Sequence, residues 1–153
     1  MNRTKPYILV VDDSRDGREM LAEYLTFRGF RVITASNGAS ALKQAFAERP
    51  ALILMDLQMP GITGWDATRQ LKAHAETKDV IVVALTAHAL APDETIARGA
   101  GCDAFIPKPF NIFALGNAID DVMRRGRAGL VSIVALSPSH DAPTDPPATP
   151  RYT

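Results

Sequence analysis

One cysteine, Cys102, is all the thiol chemistry this chain of 153 residues carries. A lone thiol excludes an intrachain disulfide and any zinc site built from several thiolates. Neither sign of charge is in excess, with 17 Lys and Arg against 17 Asp and Glu. That balance gives no electrostatic reason for non-specific adhesion to nucleic acid or to an acidic membrane. Long hydrophobic runs are missing as well. Nowhere do the roughly 18 consecutive apolar residues of a membrane helix occur. The apolar run in MNRTKPYILVVDDS is too short for the core of a signal peptide. The expectation is a cytoplasmic protein that binds neither membrane nor nucleic acid directly. Internal repeats are absent, and so are GxxxxGKS/T and GxGxxG, the two common loops that cradle nucleotide phosphates.

What is present is the composition of an ordinary soluble domain, 46% hydrophobic and 22% charged. Up to Gly126 the chain alternates apolar runs with amphipathic stretches, and its charges balance at 15 against 15. The last 27 residues, from Arg127, hold five of the 11 prolines. Such a stretch buries too little apolar surface to offset its ordering entropy. The expected organisation is therefore a domain over 1–126 and a proline-rich, disordered tail over 127–153, dispensable for stability. One reservation attaches to Leu130–Leu136, which is apolar enough to pack as a short strand or a helical extension.

Five apolar runs rich in branched residues recur at strand–helix spacing: Tyr7–Val11, Arg31–Ala35, Ala51–Met55, Val80–Leu85 and Ala104–Ile106. The first, third and fourth are nearly continuous, as in strands covered on both faces. Ser14 is placed to cap a helix with Met20, Leu21, Tyr24 and Leu25 on one face, closed by Gly29. Asn37-Gly38 turns into a second helix carrying Leu42, Ala45 and Phe46. A third runs from about Trp65 through Leu71. A fourth starts near Pro92-Asp93-Glu94 and stops by Gly99 or Gly101. The last shows Ile112, Leu115, Ile119 and Val122 at helical spacing. Five such units imply an α/β fold, an open, doubly wound parallel sheet with helices on both faces.

Ligands of such sheets bind at the carboxyl ends of the strands. There the sequence puts Asp12 and Asp13 after the first strand, Asp56 after the third, Thr86 after the fourth, and Lys108 with Pro109 past the fifth. Singly, each has a plain explanation as a cap or a solvated loop residue. Together they make a site. Three close carboxylates repel one another unless a cation sits among them. Oxygen ligands without His or Cys favour Mg²⁺, with Mn²⁺ as a substitute. A carboxylate is also a nucleophile able to form an acyl phosphate, for which Lys108 and Thr86 are suitable donors.

Four stretches, ILVVDDS, LILMDLQMPGITGWD, VIVVALTAHA and DAFIPKPF, carry a resemblance that covers about Lys5 to Arg125. In order, spacing and strand context the chain resembles the response-regulator receiver domains of two-component systems, of the single-domain, CheY-like type. The resemblance implies a flavodoxin-like (βα)₅ fold with strand order 2-1-3-4-5. It implies Asp56 as phospho-acceptor, fed by a histidine kinase or the histidine of a phosphotransfer protein. It implies Mg²⁺ on Asp13, Asp56 and the backbone carbonyl of Gln58, with Asp12 acting mainly through a metal-bound water. Lys108 pairs with a phosphoryl oxygen in this scheme, and the Lys108-Pro109 peptide is cis. Thr86 moves inward to the phosphoryl group, Ala87 leaves room for it, and Phe105 is the switch aromatic. Phosphorylation then biases the face made by the fourth helix, fifth strand and fifth helix toward a downstream protein target.

Within that scheme Phe105 has no hydroxyl to report its rotation. Gln58 and His88 stand where the family varies and where acyl-phosphate lifetime is tuned. His88, His74 and His140 read as surface residues, Trp65 as a packing anchor and Cys102 as a small buried residue. With 27 residues after the domain, an attached helix-turn-helix is not expected. The reading is a stand-alone signalling switch, monomeric or dimerising on phosphorylation, and not an enzyme beyond its own phosphorylation and dephosphorylation. Two rivals are a phosphorylation-independent binding module of the same fold and a haloacid-dehalogenase-type phosphatase. The intact acids, Thr86 and Lys108 argue against the first. The second needs an Asp-x-Asp pair after the first strand, where this chain has adjacent acids.

Overall fold

The computed structural model describes residues 6–86 and 99–136. Five parallel strands, β1 (Tyr7–Val11), β2 (Arg31–Ala35), β3 (Leu52–Asp56), β4 (Ile81–Thr86) and β5 (Ala104–Pro107), pair in the order β2-β1-β3-β4-β5. This is the doubly wound sheet that the strand–helix alternation predicts, in the flavodoxin-like order that the resemblance implies. β1, β3 and β4 carry the continuous apolar runs, and β3 and β4 are buried at every position. The edges β2 and β5 are covered less completely.

Strand residues alternate between two core layers, as the pleat requires. Ile8, Val10, Leu52, Leu54, Val83 and Leu85 face α1 (Arg15–Phe27) and α4 (Ile112–Arg125). Leu9, Val11, Ile53, Met55, Val82 and Ala84 face α2 (Gly38–Glu48) and α3 (Gly64–Ala73). Each of these four helices starts on a side-chain cap. Ser14 accepts from the Gly17 N–H, Asn37 from Ser40, Thr63 from Asp66, and Asn111 from both Phe113 and Ala114. Gly29, at φ 98°, closes α1 in the left-handed conformation that glycine adopts without strain. On α1 the buried positions are Leu21 and Leu25, whereas Met20, expected on that face, is 55% exposed. The helix expected near Pro92 lies outside the described residues, as do Ala87, His88 and His140.

Past Gly126, where the sequence suggests that the domain ends, the chain goes on packing against it. A 3₁₀ turn (Gly126–Gly129) leads into a short helix, α5 (Leu130–Val134), packed on α4 and β5. Ile133 is fully buried in the α1/α4 layer, and Leu130 and Leu136 pack against it. Of the two forms open to this run, the chain takes the helical one, because Leu130 and Ile133 share one helical face. The packed unit therefore reaches Leu136.

Charge binds this extension to the amino edge of the sheet. Asp103, one residue before β5, accepts hydrogen bonds from the Val82 N–H (2.8 Å), Lys72 Nζ (2.9 Å) and Arg127 Nη1 (2.7 Å). Lys72 also donates to the Val80 carbonyl, and Ser132 donates to Asp121. Burial by itself raises the Asp103 carboxyl. The Val82 N–H, Arg127 and Lys72 outweigh it and hold the group below the usual carboxylate range. Among the described residues no helix is long and apolar enough to cross a membrane.

Candidate functional site at the carboxyl edge of the sheet

The strand order reverses direction between β1 and β3, and ligands of such sheets bind beyond the carboxyl ends at that point. Asp12 and Asp13 follow β1, and Asp56 is the last residue of β3. Adjacent pairing of the two strands therefore brings the acids together although Asp13 and Asp56 stand 43 positions apart in the chain. One oxygen of each lies within 4.8 Å of the others, with Asp12 and Asp56 buried and Asp13 exposed. These are hard oxygen donors with one open side, a set that fits Mg²⁺ or Mn²⁺.

Backbone donors orient both buried carboxylates in the same way. Asp12 Oδ1 accepts from the Ser14 N–H at 2.9 Å, and Asp56 Oδ1 from the Gln58 N–H at 3.0 Å. Each is a turn in which Asp bonds the backbone two residues on. The Oδ2 atoms are left to meet Lys108, whose Nζ lies 3.8 Å from Asp12 and 3.7 Å from Asp56. Those separations exceed a direct hydrogen bond, so the lysine acts by charge. Burial pushes the Asp56 carboxyl up to about 6. The Gln58 N–H and Lys108 pull it down, while neighbouring Asp12 adds to the rise. Among the described residues, one ammonium beside two buried acids leaves the pocket short of positive charge, and a divalent cation would supply it.

The β3–α3 loop reaches this position because Gly64 has no side chain. A Cβ there would stand 2.4 Å from the Asp56 carbonyl oxygen. On β4, Thr86 is buried at the strand end, and the Lys108 N–H donates to its carbonyl at 2.7 Å. Thr86 continues the alternation of Val82 and Ala84, so it shares the α2/α3 side of the sheet with half-buried Phe105, which packs against that layer. The Lys108-Pro109 peptide is cis. Asp12, Asp13, Asp56, Gln58, Thr86 and Lys108 thus border one edge of the sheet, and Phe105 pairs with Ala84 two residues back from it. Ala87 lies outside the described residues.

A family model described as the response regulator receiver domain matches residues 8–120. The chain belongs to the response regulator receiver family. This receiver is 35% identical over 105 residues to the polar-differentiation response regulator DivK of Brucella anthropi, covering 69% of this chain and 85% of that protein. Its fold is similar to that of the chemotaxis protein CheY4 of Vibrio cholerae, with a TM-score of 0.72 at 28% identity over 76% of this chain and 97% of that one. The signal receiver domain of a histidine kinase from Syntrophus aciditrophicus matches with the same TM-score and identity, over 78% of this chain and 90% of that one.

Other residues resolve more simply. His74 is exposed and packs edge-on against Phe46. Cys102 is buried with its Sγ 3.9 Å from Thr68 Oγ1. Trp65 packs on the α2/α3 layer, and its Nε1 is the one buried side-chain nitrogen or oxygen without a hydrogen-bond partner among the described residues. Sequence reasoning missed the contribution of Arg18, whose Nη1 donates to the Asp12 carbonyl at 2.9 Å and pins the turn bearing the acids. The spacing of Arg18 from Asp12 carries no signal by itself, since any exposed face of α1 can bear an arginine.

Proposed function

We propose that this receiver is a phosphorylatable switch in which Asp56 accepts the phosphoryl group. The observation that carries the reading is the pair of buried, backbone-oriented carboxylates, Asp12 and Asp56, whose Oδ2 atoms meet the single ammonium of Lys108. Asp56 is the one whose carboxylate ends a strand, held against rotation by the Gln58 N–H. A fixed carboxylate loses less entropy on approaching phosphorus than a free one. Its Oδ2 attacks the phosphorus of a phosphohistidine, forming the acyl phosphate while the P–N bond breaks. With its other ring nitrogen already protonated, the imidazole leaves as the neutral base, so charge and atoms balance.

Asp12, Asp13, Asp56 and the Gln58 carbonyl would hold Mg²⁺, which supplies charge neutralisation for the transferring group when bound. Lys108 neutralises a phosphoryl oxygen from the opposite side, and its ammonium already stands near the acceptor carboxylate. Thr86 is the hydroxyl donor closest in sheet register, and its inward movement makes room for Phe105 on the same face. The donor is a histidine kinase or phosphotransfer-protein histidine, as receivers of this family imply. The output is contact with a downstream protein, through a phosphorylation-dependent change at the β5 side of the sheet.

The test is incubation with Mg²⁺ and acetyl phosphate, followed by mass spectrometry. The expected result is one acid-stable, base-labile phosphoryl adduct that Asp56→Asn lacks. An adduct of equal yield on Asp56→Asn, or none on the wild type, would overturn the reading. Fold-only binding of partners would then be the better account. Rapid turnover of a phosphomonoester would point instead to a phosphatase.

A further inference from the structure

Gly17 occupies the first turn of α1, where glycine is the poorest helix former after proline. A side chain there would crowd one neighbour in particular, which would have to give by a few tenths of an ångström. A Cβ on Gly17 would lie 3.1 Å from Asp12 Oδ2 and 3.8 Å from Asp12 Cγ. That oxygen is the one left over after Oδ1 is taken by the Ser14 N–H, and it is the one turned toward Lys108. Neither side of the contact yields cheaply. Moving the Asp12 carboxylate aside strains its bond from the Ser14 N–H, and its backbone is tied to Arg18. The turn of helix is itself tied to Ser14 Oγ through the Gly17 N–H, at 3.3 Å. The Asp12 side chain keeps 10% of its surface exposed, and a methyl group on Gly17 would be set against the same oxygen that a ligand must reach.

We propose that Gly17 is a positioning residue for cation binding, keeping Asp12 Oδ2 open and turned into the pocket. This role rests on the reading of the pocket as a Mg²⁺ site and refines it. Glycine is present because the carboxylate needs the room, against the local preference of the helix. Replacing it favours the helix and penalises the site, so stability and metal affinity move in opposite directions.

The experiment is isothermal titration of the full chain with Mg²⁺ near neutral pH, paired with thermal melting in EDTA. Gly17→Ala is expected to weaken Mg²⁺ binding by about tenfold, the scale of losing support for a metal ligand. Its melting temperature in EDTA is expected at or above that of the wild type. In an Asp12→Asn background the same substitution is expected to change affinity by less than about twofold, since the two act through one oxygen. Equal Mg²⁺ affinity for Gly17→Ala and wild type would overturn the role. So would an undiminished loss in the Asp12→Asn background, or a lower melting temperature in EDTA, which would mark general packing damage. A wild type that takes up no Mg²⁺ would overturn the pocket reading together with this role. Normal Mg²⁺ binding without an Asp56 adduct would overturn phosphoryl transfer alone.

Discussion

Two aspartates lie at opposite edges of the same sheet, Asp56 at the carboxyl end of β3 and Asp103 just before the amino end of β5. Their side chains are similarly enclosed, at 5% and 15% exposure, yet their surroundings drive them in opposite directions. Asp103 receives a backbone N–H, an ammonium and a guanidinium at hydrogen-bond distance, and its carboxyl is held below the usual range. Asp56 receives one backbone N–H, a lysine at 3.7 Å and a second buried acid, and its carboxyl rises to about 6. Enclosure alone does not set the character of a buried carboxylate; the partners do. The amino edge has its charges matched and adds stability. Among the described residues the carboxyl edge is left unmatched, the condition a ligand of opposite charge can relieve.

The widest separation between the edges comes from removing what holds the first together. Ending the chain after Gly126 deletes both Arg127 and the fully buried Ile133. The expected loss is about 3–5 kcal/mol, from the exposed core and the unmatched Asp103 together. Urea unfolding of the shortened chain measures it, and an unchanged midpoint would mean that α5 adds nothing.

Asp103→Asn is next, with an expected loss of about 2 kcal/mol from leaving Lys72 without its partner. Because the folded-state pKa of Asp103 is depressed, its contribution is fully present above the ordinary carboxylate pKa and disappears as pH falls through the folded value. The variant should thus melt below the wild type near neutrality and converge with it in strong acid. A constant difference across that range would remove the carboxylate from the account.

The same substitution at the other edge should act with the opposite sign. For Asp56 the folded pKa of about 6 lies above its ordinary 3.8, so the folded state binds more protons between those values. Stability therefore falls as pH rises through this window. In EDTA, Asp56→Asn should stabilise the protein near pH 8 by about 1–2 kcal/mol, and the gain should vanish toward pH 4. A destabilised Asp56→Asn at pH 8 would erase the contrast between the edges. The smallest effect is expected at the exposed Arg15–Glu19 pair, where Glu19→Gln should leave the urea midpoint within error.

Much of this was legible along the chain. The continuous runs at β1, β3 and β4 announce strands covered on both sides, Ser14 stands where a cap is required, and Asn37-Gly38 marks the turn into α2. The acids after two strand ends point to one edge of a doubly wound sheet, and there the structure brings them within 4.8 Å. The region from Arg127 was harder, because its prolines dominate the composition and mask the helical spacing of Leu130 and Ile133. The hub at Asp103 left no trace in sequence. Its partners come from α3, the start of β4 and the C-terminal extension, and charged residues at such intervals are ordinary on any surface.

The sequence by itself determined the fold class, the strand-end acids and the chemistry open to them, because periodicity, caps and donor type are local properties. Only the tertiary structure decided which acids are matched by positive charge and which are not. It also decided that Gly17 faces Asp12 Oδ2 and that Ile133 completes a core layer. Those outcomes depend on distances between residues far apart in the chain, and electrostatic and packing energies are set by such distances.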